Sequence, residues 1–150
     1  MVVIIISIAT YYLYVVNGNK FVLLKKKIIT RGYNKEKYLI RWTIVPLTCK
    51  WFSVKVHKIL LSDYQCLHDH PWAFITFLIK GGYVEYSDKG SKLYSRFSLL
   101  FRKASYQHRL EIHQPVWSIV ITFKKVREWG FITPKGWVKW FNYTPSNNCE

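Results

Sequence analysis

The stretch CLHDHPWAFITFLIKGGYVE, from Cys66 to Glu85, carries the most structural information in the chain. Its two histidines, His68 and His70, are two residues apart, and alternate side chains of a β-strand leave the same face. The apolar run after them ends at Lys80-Gly81-Gly82, which has the composition of a tight hairpin turn. The stretch therefore predicts a β-hairpin with two imidazoles on one face, far from its turn.

Two imidazoles suggest a metal site, because imidazole is a common ligand of zinc, iron, copper and nickel. A third ligand is needed, and the candidate is His108, which ends the segment Leu99–His108, an apolar run followed by a turn, and opens the next strand. We predict one divalent metal, iron, zinc, nickel or manganese, bound by His68, His70 and His108. A barrel with three core histidines and no metal is the alternative.

Glu85 and Asp69 are the carboxylates to consider at such a site. If Lys80-Gly81 is a two-residue turn, Thr76 pairs with Glu85 and the Glu85 side chain points inward, as His70 does. A buried carboxylate is paired, binds a metal or takes up a proton. Glu85 is thus a candidate fourth ligand or general base, and Asp69 a candidate for orienting a ligand. A register one residue different would place Glu85 on the surface.

The histidine pattern resembles the two metal motifs of the cupin superfamily. In the usual first motif a glutamate follows the second histidine by three or four residues, whereas this chain has Phe74 and Ile75; the glycine of the motif corresponds to Gly81. The second motif has proline and glycine before its histidine, and Lys103–Gln107 lacks both. The tetrapeptide HDHP at His68–Pro71 is similar to three-histidine cupins such as the thiol dioxygenases.

A closer resemblance covers residues 40–143. The segments LHDHPWAF, GGYVE, the pair His108-Arg109 and REWGFITPKGWVKW at Arg127–Trp140 look like a family of small, uncharacterised cupin-like proteins common in bacteriophage genomes. The resemblance implies an all-β, single-domain, RmlC-like jelly-roll barrel, with N-terminal strands in residues 1–37 and the cupin core in residues 38–143. It implies no particular activity.

Independent features of the sequence also favour an all-β domain. The 150 residues include 18% aromatic residues, and aromatic residues favour strands. Short strand-like runs separated by turn signals indicate a sandwich or barrel. The run PVWSIVITF at Pro115–Phe123 predicts a central strand, Pro46 a break between two strands, and alternation in Trp51–Leu60 a solvent-facing His57. Alternation also turns His113 away from His108.

The net charge of the chain bears on its partners, and the uncharged N-terminal run bears on its location. The net charge of +15 is compatible with an anionic ligand and with non-specific nucleic-acid association. The uncharged run Val2–Val16 is shorter than the roughly 20 residues of a spanning helix, and Asn17-Gly18 after it predicts a two-stranded hairpin, with a short membrane anchor as the alternative.

Three cysteines without a CxxC motif indicate reduced thiols and a cytoplasmic protein, in the host cytoplasm if viral. Cys66 is a minor candidate ligand, and a homodimer is compatible with the chain.

The ligand pocket is predicted beside the metal site, with Trp72 and Tyr83 as its apolar wall. Arg102 and Arg109 flank His108 and, with Arg127, are candidates to bind a carboxylate or phosphate. Arginines that only serve strand edges are the alternative. Two functional classes stay open: a metal-dependent enzyme acting on a small anionic substrate, such as an oxygenase, and a non-catalytic viral accessory or ligand-binding module.

Overall fold

The computed structural model describes residues 4–8, 11–16, 20–144 and 149, and within them the chain forms strands and turns without a helix. The predicted all-β class is confirmed. In chain order the strands are β1 (Ile4–Ile8), β2 (Tyr11–Val16), β3 (Lys20–Arg31), β4 (Glu36–Thr48), β5 (Phe52–Ile59), β6 (Leu67–His68), β7 (Phe74–Lys80), β8 (Tyr83–Ser87), β9 (Gly90–Tyr94), β10 (Leu99–Arg102), β11 (His108–Glu111), β12 (Val116–Phe123), β13 (Gly130–Thr133) and β14 (Gly136–Lys139).

The strands form two antiparallel sheets. The larger sheet has the order β1-β2-β3-β4-β5-β12-β7-β10, and the smaller has the order β14-β13-β6-β11-β8-β9. Strand β12 lies inside the larger sheet, between β5 and β7, as the sequence Pro115–Phe123 predicts. Consecutive strands such as β7 and β8 lie in different sheets, so the chain crosses between the two layers of a barrel.

The apolar core lies between the sheets and is built from residues that alternate with outward-facing ones along each strand. Its buried members are Leu39, Ile59, Leu78, Tyr83, Leu100 and Val116. Along β12 the pattern is strict, with Val116, Ser118, Val120 and Thr122 buried and their neighbours more exposed. Burial of one side chain of the Leu or Val type contributes about 1.5–3 kcal/mol, which fixes the register of the strands around the site.

The predicted hairpin between β7 and β8 is wrong. Strand β7 pairs with β10 and β12, and β8 pairs with β9 and β11. Gly81, with φ of 79°, and Gly82, where an added Cβ would lie 2.5 Å from the Tyr94 carbonyl oxygen, turn the chain from one sheet to the other in a space that admits no side chain. The inward orientation of Glu85 is nevertheless right, because alternation along β8 buries both Tyr83 and Glu85.

The prediction of a solvent-facing His57 is also wrong. On β5 the buried residues are Lys55 and Ile59, and His57 lies between them on the same face. The opposite face is covered by the stacked rings of Trp42 and Trp117, 5.5 Å apart, so apolar residues occur on both faces and the pattern does not distinguish inside from outside. Strand β4 likewise continues past Pro46, the predicted break, with an irregular register between Thr43 and Thr48.

The N-terminal strands extend the larger sheet. Strands β2 and β3 pair antiparallel, with Val16 opposite Lys20, which confirms the predicted hairpin; its turn, residues 17–19, lies outside the described residues. The uncharged run before the turn contains a further strand, β1, paired with β2. No helix in the described part of the chain is long and apolar enough to cross a membrane.

The predicted reduced state of the cysteines is contradicted by a disulfide between Cys66 and Cys149. This bond also removes Cys66 from the candidate metal ligands, because a disulfide sulfur is not a thiolate. Cysteine count and spacing could not reveal the pairing, since the two residues are 83 positions apart. The cytoplasmic location stays a prediction, and disulfides are uncommon there.

We expect the purified, non-reduced protein to expose one thiol per chain in denaturant, because Cys49 is the free cysteine of the described residues. Ellman's reagent added before and after reduction should therefore report one and then three thiols. A Cys49→Ser variant is the control and should report none before reduction. Three thiols without reductant would contradict the disulfide.

Candidate metal centre

The three histidines come together because β6 and β11 are neighbours in the smaller sheet. His68 lies directly opposite His108 in the antiparallel register. His70 lies beyond the end of β6, where its backbone N–H donates to the Ala104 carbonyl at 3.0 Å. One ring nitrogen from each histidine lies within 4.8 Å of the other two. The Nε2 atoms of His70 and His108 are 2.8 Å apart.

This geometry fits a mononuclear metal site. Two nitrogen ligands at about 2.1 Å from one ion, at right angles, lie about 3 Å apart, close to the separation of the His70 and His108 Nε2 atoms. Burial lowers the pKa of His68 to about 4, and burial with the neighbouring imidazoles lowers that of His70 well below its ordinary value. Both side chains are thus neutral at pH 7, the form that binds a metal.

Aromatic side chains surround the cluster. The Phe74 ring lies 4.6 Å from that of His70 and 6.0 Å from that of His108. On the other side, the Phe131 ring is 5.8 Å from that of His68, and Trp129 is 6.3 Å from it. A hydrophobic shell of this kind controls solvent access and the local dielectric at a metal.

Glu85 contacts His108 rather than the space between the three histidines. Its carboxylate, 3% exposed, accepts a hydrogen bond from His108 Nδ1 at 2.6 Å and two from the Arg102 guanidinium. Burial raises the pKa of Glu85, but the bonds from His108 and Arg102 outweigh burial and lower the pKa to about 2. The ionised carboxylate holds the proton on His108 Nδ1 and leaves Nε2 free for a ligand role.

Asp69 does not orient a histidine, contrary to the sequence prediction. Its carboxylate, 1% exposed, accepts from the Gly130 backbone N–H at 2.8 Å and from Trp137 Nε1 at 3.1 Å. Arg127 Nη2 lies 2.8 Å from it. Asp69 therefore fastens the segment between His68 and His70 to β13 and β14, and Arg127 serves this contact instead of a ligand pocket.

Asp63 is the carboxylate that the sequence analysis missed. Its Oδ2 atom lies 4.0 Å from His68 Nδ1 and accepts the Leu110 backbone N–H at 2.6 Å, while Oδ1 accepts the Tyr38 hydroxyl. His68 Nδ1 is a buried polar atom that has no hydrogen-bond partner among the described residues. Asp63 belongs to no recognisable sequence motif. The only indication of its importance is that the chain has just eight acidic residues, so each is a candidate partner for a histidine.

The structure places the predicted pocket residues in different surroundings instead of around one pocket. Tyr83 belongs to the apolar core, and Trp72 lies beneath the Lys55 ammonium at 5.3 Å. Arg102 is bound to Glu85. Arg109 is on the opposite face of β11 from His108, over the Tyr86 ring at 3.9 Å and 3.5 Å from Glu111, so it does not reach the cluster.

Two clefts lie beside Glu85 and its neighbours Arg102 and Tyr106. One, of about 490 Å³, is lined in part by Arg102, Lys103 and Gln107. The other, of about 260 Å³, includes Glu85 and Tyr94. Both clefts include Lys89 and Tyr106, and the Tyr106 hydroxyl donates to Glu85 at 3.4 Å, so Tyr106 lies between the first cleft and the carboxylate, whereas the second cleft reaches the carboxylate directly.

Solved structures with this architecture include the DMSP lyase DddQ from Ruegeria pomeroyi, 12% identical over 75% of this chain and 63% of DddQ, with a TM-score of 0.58. The FeII form of HppE is 12% identical over 65% of this chain and 56% of that chain, with a TM-score of 0.50. A conserved uncharacterised protein with a double-stranded β-helix domain from Klebsiella pneumoniae is 15% identical over 69% of this chain and 90% of that chain, with a TM-score of 0.50.

The chain spans less than two thirds of the length of DddQ and of HppE. No family model matches the sequence, and no curated protein sequence matches it. At such low identities the structural likeness defines the fold alone. The chain therefore has the double-stranded β-helix, or cupin, fold, as the sequence predicts.

Proposed function

We propose that the protein is a metal-dependent enzyme of the cupin fold that acts on a small anionic substrate. The observation that carries the proposal is the convergence of His68, His70 and His108, each with a ring nitrogen within 4.8 Å of the other two. Three imidazoles would occupy three coordination positions and leave others open, as catalytic metal sites require. A bound divalent ion would supply Lewis-acid or redox chemistry there.

The residues around the histidines have defined tasks in this proposal. Glu85 fixes the tautomer and the ring orientation of His108 through the bond to Nδ1. Arg102 holds Glu85 ionised and in place, so the three side chains form a chain from the basic clefts to the metal site. Phe74 and Phe131 exclude water. Glu85 thus acts as a positioning residue, because its carboxylate oxygens accept hydrogen bonds from Arg102 and His108 Nδ1 and do not face the space between the three histidines.

Iron, zinc, nickel and manganese remain the candidate metals, since imidazole ligands accommodate all of them. The FeII form of HppE, which has the same fold, supports iron as the first to test. An anionic substrate is supported by the net charge of +15 and by the lysines of the two clefts beside Glu85.

Metal uptake tests the proposal. Metal-free protein is incubated with Fe(II) under argon, or with Zn(II), Ni(II) or Mn(II), desalted and analysed for metal by mass spectrometry. We expect about one ion per wild-type chain and a loss of at least tenfold in a His68→Ala, His108→Ala double variant, because one imidazole alone holds a metal weakly. His113→Ala, which removes an exposed histidine, is the matched control and should bind as wild type does. Equal content in all three proteins would end the proposal.

A non-catalytic module is the second candidate, and the engagement of Glu85 favours it. Among the described residues, the carboxylates closest to the histidines, Glu85 and Asp63, are both used as hydrogen-bond acceptors, so neither is free to act as a base. Such a module would bind a metal or small ligand without turnover, and membership of the phage-type family would make it a viral accessory protein. Metal binding without turnover of any small acid would support this candidate.

A further inference from the structure

A second group of basic side chains lies inside the barrel, on the inner face of the larger sheet. Lys55 and His57 alternate with outward residues on β5, and Arg41 pairs with His57 across the sheet. Arg41 Nε donates to His57 Nε2 at 3.0 Å. Lys55 Nζ donates to Thr122 Oγ1, which is buried on β12. The group is therefore held in place by contacts to two other strands.

This group lacks a counter-anion in the described part of the chain. Lys55 is 8% exposed, yet no described carboxylate lies within 4.0 Å of Lys55 or Arg41. Lysine has three N–H donors and arginine five, whereas Lys55 and Arg41 each make one hydrogen bond to the described residues. Burial and the charge of Arg41 lower the pKa of Lys55 to about 8. Buried charges in proteins are normally paired, so the inner face carries unsatisfied positive potential.

The group lies next to the histidine cluster. Thr122, the partner of Lys55, pairs with Phe74 of β7, whose ring packs against His70 at 4.6 Å. Trp72, two residues after His70, lies 5.3 Å from Lys55 Nζ. One aromatic side chain, Trp72, thus contacts the ammonium, and another, Phe74, contacts the histidine cluster, so apolar rings lie beside both polar ends. This is the usual composition of a small-molecule site.

We propose that the inner face between Lys55 and Arg41 binds the carboxylate or phosphate group of a small ligand, whose remainder lies along Trp72 and Phe74 toward the three histidines. An arginine binds either oxyanion through paired N–H donors. Lys55 adds a point charge at the centre of the sheet. The role of this site in binding the substrate rests on the proposed function. Its ability to bind an anion does not, and is tested separately.

The test compares wild type with Lys55→Met, which keeps most of the side-chain length and removes the charge. Acetate and inorganic phosphate are the probes, titrated at constant ionic strength against chloride, with binding measured by calorimetry and by the shift in melting temperature. Lys58→Met is the matched control: Lys58 is on the same strand, faces the other way, and its ammonium also lies over a tryptophan, Trp117, at 5.2 Å. Arg41→Met, which removes the second cation, provides an independent variant if Lys55→Met does not fold.

We expect wild type and Lys58→Met to bind at least one probe with equal affinity, and Lys55→Met or Arg41→Met to bind it at least tenfold more weakly. Preference for acetate or for phosphate would assign the ligand to carboxylic acids or to phosphate esters. Equal binding by wild type and Lys55→Met, or no binding of either probe to wild type, would overturn the inference. Metal content measured on the same samples separates the two proposals: anion binding that needs Lys55 in a protein that takes up no metal would leave the anion site standing alone.

Discussion

Glu85→Ala is expected to lower the free energy of unfolding by about 1.5–3 kcal/mol, because the part-buried Arg102 guanidinium loses its charged partner and keeps only the Tyr94 hydroxyl and the Phe101 carbonyl as acceptors. The same change should weaken metal binding by about 10–100-fold, since His108 loses the acceptor that fixes its tautomer and orientation. Chemical denaturation of the metal-free protein measures the first effect, and competition with a chromogenic chelator measures the second.

Glu111→Ala is the matched control for Glu85→Ala. Glu111 is a β11 residue paired with Arg109 at 3.5 Å on the outer side of the sheet, and exposed pairs contribute about 1 kcal/mol or less. Glu85→Gln separates the two roles of Glu85, because the amide oxygen still accepts from His108 but carries no charge for Arg102. Metal affinity in Glu85→Gln should therefore fall less than in Glu85→Ala. A Glu85→Ala protein as stable as Glu111→Ala, with wild-type metal affinity, would contradict the positioning role.

Lys55→Met is expected to stabilise the free protein by about 2 kcal/mol at pH 7. Burial and the charge of Arg41 lower the pKa of Lys55 from 10.5 to about 8, and this shift corresponds to about 3 kcal/mol of unfavourable free energy for the charged form. Loss of the hydrogen bond to Thr122 offsets about 1 kcal/mol. A stabilising core substitution of this size is unusual, and observing it would indicate a residue kept for binding rather than for the fold.

The stabilisation by Lys55→Met should depend on pH in a defined direction. The folded pKa of Lys55 is below the unfolded value, so the unfolded chain holds more protons between pH 8 and 10.5. The cost of Lys55 in wild type is complete below pH 8 and decreases as the pH rises toward 10.5. Urea unfolding of both proteins at pH 7 and at pH 9.5 should therefore show a smaller difference at the higher pH. A Lys55→Met protein that is less stable than wild type at pH 7 would contradict the unpaired charge.

The parts of the fold that the sequence predicts are those set by side-chain alternation along single strands. The inward direction of Glu85 follows from alternation on β8 and holds although its predicted pairing with Thr76 is wrong. Which strands pair depends on the path of the chain at Gly81 and Gly82, where the same glycine signal serves a hairpin turn or a crossover between sheets. The composition of a turn does not distinguish the two.

The candidate site was predictable in its histidines and not in its supporting residues. The spacing of His68 and His70 and the resemblance to cupin motifs indicate the three residues that the structure brings together. Asp63 lies near His68 in a loop that no sequence motif marks. On β5, apolar residues on the outer face remove the polar–apolar alternation that would show which face points inward. Long-range packing decides both features, and the local sequence does not encode it.

Anomalous diffraction from crystals of the protein loaded with Fe(II) or Zn(II) tests the account most directly. Data collected on either side of the metal absorption edge locate the ion independently of the protein phases. We expect one peak per chain, about 2.0–2.2 Å from a ring nitrogen of His68, His70 and His108, with Glu85 still bound to His108 Nδ1. A loaded crystal with no peak among the three histidines, or with its peak at His113 or another surface position, would contradict it.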